Sequence, residues 1–351
     1  VYLEEYIQLI QDKFLRRSLI NLGYEAINSA YITNLSLETI IDDLEIQVFN
    51  LTNEIQTQKI SSSAELFSTI FLELKQKSFN PMLSGISSGF YDLDAFTQGF
   101  QQSDLIIIAG RPSMGKTALA LNVGLNIVKN SKLPVLFFSL EMSKEQLSYR
   151  ILTQETKINS NRLKTGNLYQ DDWLSLNSII QNLATLPLFI DDTPNPSMQD
   201  MRAKIKKIIF EQMQIGIIII DYLQLMQTSQ FSSANRTQEL SHITRSLKSL
   251  AREFNVPIIA LSQLSRSVET RTNKRPILSD LRESGSIEQD ADLVLMLYRD
   301  SYYYSNSSTG TISPNDRVEL IIAKQRNGPI GTIELDFNSK LTQFSNVNIS
   351  T

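Results

Sequence analysis

Apolar positions near the start of the chain recur at spacings of three and four. Leu3, Ile7, Ile10 and Phe14 form one such row, and Leu37, Ile40, Ile41, Leu44 and Val48 form another. Rows of this period are the buried faces of amphipathic helices. The stretch Tyr24–Ser36 between them is expected to carry a break, giving a helical hairpin. Such a hairpin cannot bury its apolar face alone and needs a partner, from its own chain or from another subunit. The polar patch Gln56–Ser63 reads as a linker. A short amphipathic helix is expected over about Ala64–Lys77, ended by Asn80-Pro81, because proline disfavours a helical conformation in the residue before it.

After Pro81 the texture changes. Short apolar runs lie at Leu105–Ala109, Val135–Ser139, Ile217–Asp221, Pro257–Ser262, Leu293–Tyr298 and Val318–Ala323. Most are continuous rather than alternating, as expected of strands buried on both faces of a parallel sheet. Thr117–Lys129 and Gln238–Phe254 carry a helical period between them. Strand-helix-strand alternation predicts an α/β core of about 270 residues around a mostly parallel central sheet. Its far edge should be mixed, because Val318–Ala323 and Thr332–Phe337 flank the turn signal Asn327-Gly328-Pro329. The serine- and tyrosine-rich stretch Tyr302–Thr311 reads as an exposed loop. The expected division is residues 1–62 as helical hairpin and linker, 63–80 as a linker helix, and 81–351 as the α/β domain.

Composition removes several chemistries. The chain is 42% hydrophobic and 20% charged, the balance of an ordinary globular protein. It has no cysteine, which excludes disulfides, thiolate metal sites and thiol nucleophiles. A single histidine, His242, leaves no room for a histidine metal cluster or a Ser-His-Asp triad, and reads as a solvated or satisfied helix residue. Trp173 reads as packing rather than as a platform for a base. The apolar run Ile215–Ile220 is far shorter than the roughly 20 residues a bilayer needs, so no membrane partner is expected. A net charge of -4 and a pI near 5.3 argue against a surface coated with nucleic acid; any such contact has to be local. No signal-peptide pattern opens the chain. Val1 falls inside an amphipathic pattern, so the sequence is expected to be a piece or trimmed form of a longer protein, or to begin at a non-AUG start.

One segment carries explicit chemistry. Gly110-Arg111-Pro112-Ser113-Met114-Gly115-Lys116-Thr117 fits G-x-x-x-x-G-K-[ST], follows an apolar strand and opens a helix that continues through Ala118. Its glycines let successive backbone N–H groups point at phosphate oxygens. Lys116 would reach the terminal phosphates of ATP, and Thr117 would ligate Mg²⁺ through its hydroxyl. Asp221 ends the run Ile217-Ile218-Ile219-Ile220, where a carboxylate can hold the same Mg²⁺. Glu141, just past Val135–Ser139, is placed to orient or deprotonate an attacking water, or is simply a carboxylate favoured at a helix start. Gln263, after Pro257–Ser262, is similarly placed to sense the γ-phosphate or to be a polar loop residue.

Taken in order, the P-loop, Ser139-Leu140-Glu141-Met142, Ile219-Ile220-Asp221-Tyr222-Leu223-Gln224-Leu225-Met226, Ser262-Gln263-Leu264-Ser265-Arg266, the run from Ser279 to Asp292 and Lys324-Gln325-Arg326-Asn327-Gly328 form a series. This series resembles the DnaB-type replicative helicases of bacteria and plastids, which have a RecA-like P-loop core. The resemblance covers Pro81 to about Phe344, and Gly85–Gln101 is similar to the family's entry to the motor domain. It implies a catalytic role for Glu141, γ-phosphate sensing by Gln263, and a place beside the nucleotide for Arg150. It implies that Lys324, Gln325 and Arg326 reach a neighbouring subunit's ATP site, an arginine finger supplied in trans. Arg282, Glu283 and Gly285 match the family's loop that holds single-stranded DNA. The basic segment Arg266, Arg271, Lys274 and Arg275 guides DNA or is a solvated loop. The resemblance further implies a homohexamer acting on single-stranded and forked DNA, with primase and a helicase loader as partners. Of the family's N-terminal collar only the terminal hairpin, about residues 1–53, is represented. The alternatives are another RecA-like hexameric ATPase, of recombinase or KaiC-like type, or a non-catalytic DNA-binding or assembly subunit. A bias to Ile and Asn suggests an AT-rich genome and leans from bacterial cytoplasm towards an organelle-encoded protein of the plastid stroma.

Overall fold

The computed structural model describes residues 2–32, 83–226, 236–304 and 316–347, together with isolated helical positions between 40 and 75. The chain divides into two compact units, Val1–Met82 and Leu83–Thr351. In the first unit a single helix runs Tyr2–Tyr31, 30 residues or about 45 Å. The expected break therefore does not begin at Tyr24. Gly23 is the only strong helix-weakening residue in that helix, and one glycine costs about 1 kcal/mol without stopping a helix that has no proline. Ile40, Leu44 and Val48 of the second predicted row are helical, while Leu37 and Ile41 lie outside the described residues. Of the predicted linker helix, Phe67, Ser68, Ile70, Phe71 and Lys75 are helical, and the rest, with Asn80-Pro81, lies outside the described residues.

The second unit is built on one sheet in the order β3-β2-β4-β5-β1-β6-β7-β8-β9. Six strands are parallel: β1 (Leu105–Gly110), β2 (Val135–Ser139), β3 (Leu188–Asp191), β4 (Ile217–Asp221), β5 (Ile258–Gln263) and β6 (Leu293–Tyr298). Three antiparallel strands, β7 (Asp316–Gln325), β8 (Gly331–Asn338) and β9 (Gln343–Asn346), complete the far edge. The central strands are buried along their whole length because helices cover both faces, whereas β7 and β8 alternate buried with more open positions. Alternation of side chains sends Ile106 and Ile108 into one apolar layer with the helix Lys116–Asn126. It sends Leu105 and Ile107 into the other, with Leu247 and Leu250 of the helix Arg236–Phe254.

Parallel strands give this sheet two chemically different edges. The carboxyl edge carries the segments after Gly110, Ser139, Asp221 and Gln263. The amino edge carries the start of β1, the start of β6 and, because β7 runs antiparallel with Gln325 opposite Leu293, the end of β7. Four helices without clear sequence signals, Lys144–Thr156, Ser160–Thr165, Gln170–Ala184 and Met198–Gln212, lie between β2 and β4. The predicted loop Tyr302–Thr311 begins as helix, Asp300–Tyr304, with Tyr303 stacked 6.0 Å from the Tyr298 ring. Aromatic packing outweighs the loop-like composition there; positions 305–311 lie outside the described residues.

Candidate active site

The turn from β1 into the helix Lys116–Asn126 forms the floor of a cleft of about 390 Å³ at the carboxyl edge. Two residues of the turn take left-handed backbone, Ser113 at φ 64° and Gly115 at φ 101°. A Cβ on Gly115 would also stand 3.0 Å from the Phe344 ring, so both conformation and space require glycine there. Lys116 donates to the carbonyls of Gly110 (2.9 Å) and Arg111 (3.2 Å), and burial holds its pKa below the usual lysine value. These carbonyls are neutral partners that an anion can outcompete.

Across the cleft, the Thr117 hydroxyl donates to the Asp221 carboxylate at 2.7 Å. Asp221 is 1% exposed, and its pKa is pushed up to about 6. Burial is the main cause and nearby Glu141 adds to it, against the Thr117 hydrogen bond and the charges of Lys116 and Arg150. Side by side, a hydroxyl and a carboxylate fit Mg²⁺, which prefers a few oxygen ligands together with phosphate. Among the described residues no group of three or more His, Cys, Asp or Glu could hold a metal.

Glu141, Arg150 and Gln263 line the same cleft. Glu141 is exposed at the end of β2, where its charge acts on Lys116, Arg150 and Asp221. Gln263 ends β5, beside Gly110 in the β1–β5 register. Its main chain is clasped by Gln224, whose side chain donates to Ser262 Oγ at 3.0 Å and accepts from Gln263 N at 3.3 Å. Arg111 and Met114 turn away from the cleft. Arg111 donates to Leu264 O and pairs with Glu269 at 2.8 Å, and Met114 is buried, so these two contribute main chain only.

The structure brings a second group together elsewhere. Arg326 N donates to Asp292 O at 2.8 Å, and Asp292 N donates to Leu105 O at 2.9 Å, which puts Arg326 beside the first residue of β1. Gly110, at the other end of that strand, is about 16 Å away. Lys324 caps the end of the helix Gly285–Asp290 through Glu288 O (2.6 Å) and Ala291 O (2.7 Å), and Gln325 donates to Phe96 O. None of the three lines this chain's own cleft.

Arg282 and Glu283 fall in the short helical segment Leu278–Ser284 and Gly285 opens the helix Gly285–Asp290; their side chains lie outside the described residues. In the basic segment, Arg271 pairs with Asp280 at 2.5 Å, Arg275 with Glu319 at 2.6 Å, and Lys274 sits over the Tyr303 ring. Arg271, Lys274 and Arg275 thus have partners within the chain's own fold. Trp173 is half-exposed and lines an apolar groove between helices, and His242 lies exposed on its helix.

Sequence reasoning missed Tyr222, Phe337 and Thr342, which complete the cleft. Tyr222 follows Asp221 directly and was within reach of inference. Phe337 and Thr342 come from β8 and the turn after it, more than two hundred positions from the P-loop, and no spacing signals their arrival. Asp292, which pairs with Arg326, and Lys248 and Asp104, which lie beside Asp292, were missed for the same reason.

Comparison with known proteins places this geometry among relatives. Residues 85–346 match the DnaB-like helicase C terminal domain family. A probable replicative DNA helicase of Trieres chinensis is 68% identical over 344 residues, 98% of this chain and 75% of that protein. The replicative DNA helicase DnaB of Geobacillus stearothermophilus is 42% identical over 345 residues, with the same coverage of 98% and 75%. A solved structure described as a DnaB-like replicative helicase and its interactions with primase superposes with a TM-score of 0.81 at 34% identity, covering 98% of this chain and 79% of that one. A second solved structure, of an ATPase domain, superposes with a TM-score of 0.74 at 38% identity, over 82% of this chain and 99% of that one.

Proposed function

The chain belongs to the DnaB-like helicase family and is an ATP-dependent replicative DNA helicase, and from that premise we infer how its residues divide the work. Six copies form a ring, ATP is hydrolysed between neighbours, and the ring moves 5′-to-3′ along the strand it encircles, displacing the other at a fork. The observation that carries this reading is the separation of the charged groups. Lys116, Thr117, Glu141, Asp221 and Gln263 gather at the carboxyl edge, while Lys324 and Arg326 gather at the amino edge of the same sheet. A rigid strand keeps Arg326 out of its own cleft, so it serves ATP only in another copy.

Within each cleft the P-loop N–H groups cradle the phosphates, and Lys116 exchanges its carbonyl partners for the terminal phosphate oxygens. Thr117 and Asp221 would hold Mg²⁺, which would supply neutralisation of phosphate charge. A cation there favours ionised Asp221, offsetting the burial that raises its pKa. Glu141 accepts the proton of the attacking water, and Gln263 hydrogen-bonds the γ-phosphate. Arg150 lies beside the phosphates. Arg326 and Lys324 of the adjoining copy neutralise charge building on the transferring group, a contribution of about 10³- to 10⁵-fold where such a finger acts. Arg282, Glu283 and Gly285 line the pore and hold the DNA backbone, which confines positive charge to a channel and suits a chain of net charge -4.

Primase and a loader complete the set of partners, and the compartment is plastid stroma or bacterial cytoplasm. No helix among the described residues is long and apolar enough to cross a membrane. The test is strand displacement on a forked duplex, with ATP turnover measured with and without single-stranded DNA. Wild-type protein should unwind the fork and be stimulated by DNA, and Lys116→Ala should do neither. Turnover without unwinding would contradict the reading.

A further inference from the structure

At the amino edge, the Asp292 carboxylate is 5% exposed yet receives donors from three separate elements. Its Oδ2 accepts the Leu105 N–H at 2.9 Å and the Lys248 ammonium. Its Oδ1 accepts from Arg326 Nη1 at 3.3 Å. Lys248 is itself anchored, donating to Ser103 O at 2.7 Å from the helix Arg236–Phe254. The carboxylate is thus gripped from behind by a strand and a helix, with one oxygen presented forwards. A buried carboxylate needs such partners to offset its desolvation. The asymmetry lies on the arginine side: Asp292 is buried, but the Arg326 side chain is 61% exposed.

We propose that Asp292, held by Lys248, is a positioning residue for Arg326, fixing the direction in which the guanidinium leaves the subunit to enter a neighbour's nucleotide cleft. This rests on the reading of Arg326 as acting on a second copy. An unrestrained arginine samples many rotamers and gives them up each time it engages a phosphate. One long hydrogen bond to a rigid carboxylate, with the backbone N–H pinned to Asp292 O, restricts that search. The remaining guanidinium donors are left for phosphate oxygens. Asp292 is not among the residues that line its own chain's cleft.

Asp292→Asn keeps the shape and removes the charge. Its nucleotide affinity should equal wild type, because its own P-loop is untouched, while kcat for ATP falls about tenfold or more. Lys248→Met should lower kcat in the same direction, and Lys248→Arg should restore it. The deciding measurement mixes Asp292→Asn with Lys116→Ala. Lys116→Ala copies cannot turn over ATP but carry an intact Asp292–Arg326 pair, which serves the intact cleft of an Asp292→Asn neighbour. Turnover of the mixture should exceed the sum of the two proteins alone, which a folding defect in Asp292→Asn would not produce. Arg326→Ala mixed with Lys116→Ala is the companion experiment. If that pair recovers activity and the Asp292→Asn pair does not, the role of Asp292 is overturned and Arg326 still acts in trans. If neither recovers, the reading of Arg326 falls and this inference with it. A rise in kcat for Asp292→Asn alone would overturn the proposal too, since Asp292 would then be restraining the arginine.

Discussion

The two edges of the sheet carry similar residues under different restraint. At the carboxyl edge, Lys116 rests on main-chain carbonyls and Asp221 on a threonine hydroxyl. At the amino edge, Lys248 and Arg326 pair with Asp292, and Asp104 lies 3.9 Å from Lys248. Neutral partners can be exchanged when a phosphate or cation arrives. Opposite charges in a buried setting are costly to part. On the proposed reading, the first edge is suited to receive a ligand, and the second to hold one arginine still while it is offered to another copy.

The comparison breaks most completely at Asp221. Asp221→Asn should reduce ATP turnover below detection in a steady-state assay, because it removes the carboxylate that stands beside Thr117. Next comes Arg326→Ala, which should bind ATP as wild type does yet lose about 10³-fold in turnover. Equal losses of binding and turnover would place Arg326 in its own cleft. Gly115→Ala is a smaller test of the carboxyl edge alone. Left-handed backbone at φ 101° and a Cβ 3.0 Å from Phe344 should cost about 1–3 kcal/mol, read as a lower melting temperature and weaker nucleotide binding.

The smallest effect probes charge at the amino edge. Burial, followed by the charge of Asp292, pushes the Asp104 pKa up to about 6. A folded-state pKa above the unfolded value near 3.8 means that stability is fully present at low pH and is lost as pH rises to about 6. Asp104→Asn should therefore melt higher than wild type at pH 8 and equal it near pH 4. A uniform gain at both pH values would show that packing, rather than ionisation, sets the difference.

Much of this was legible in the chain because local rules govern it. Continuous apolar runs marked β1, β2, β4, β5 and β6, since strands covered on both faces need no polar positions. The P-loop was readable because a phosphate cradle needs set residue types at fixed spacing, and Asp221 because it ends an apolar run. The edge strand β3, only four residues and half-buried, left no comparable signature. The helix Tyr2–Tyr31 ends inside the expected break segment Tyr24–Ser36 but runs eight residues into it, because nothing between Tyr24 and Tyr31 is a proline or glycine that would stop a helix. Phe337 and Thr342 reach the cleft, and Asp292 reaches Arg326, through sheet order and β7 pairing, which no local pattern encodes.

Sharing of ATP chemistry between copies is tested most directly by mixing Arg326→Ala with Lys116→Ala, each inactive alone. The mixture should turn over ATP faster than the sum of the two proteins, because an intact Arg326 on a Lys116→Ala copy serves the intact cleft of an Arg326→Ala neighbour. No gain over the sum would contradict it, and each arginine would then be serving its own cleft.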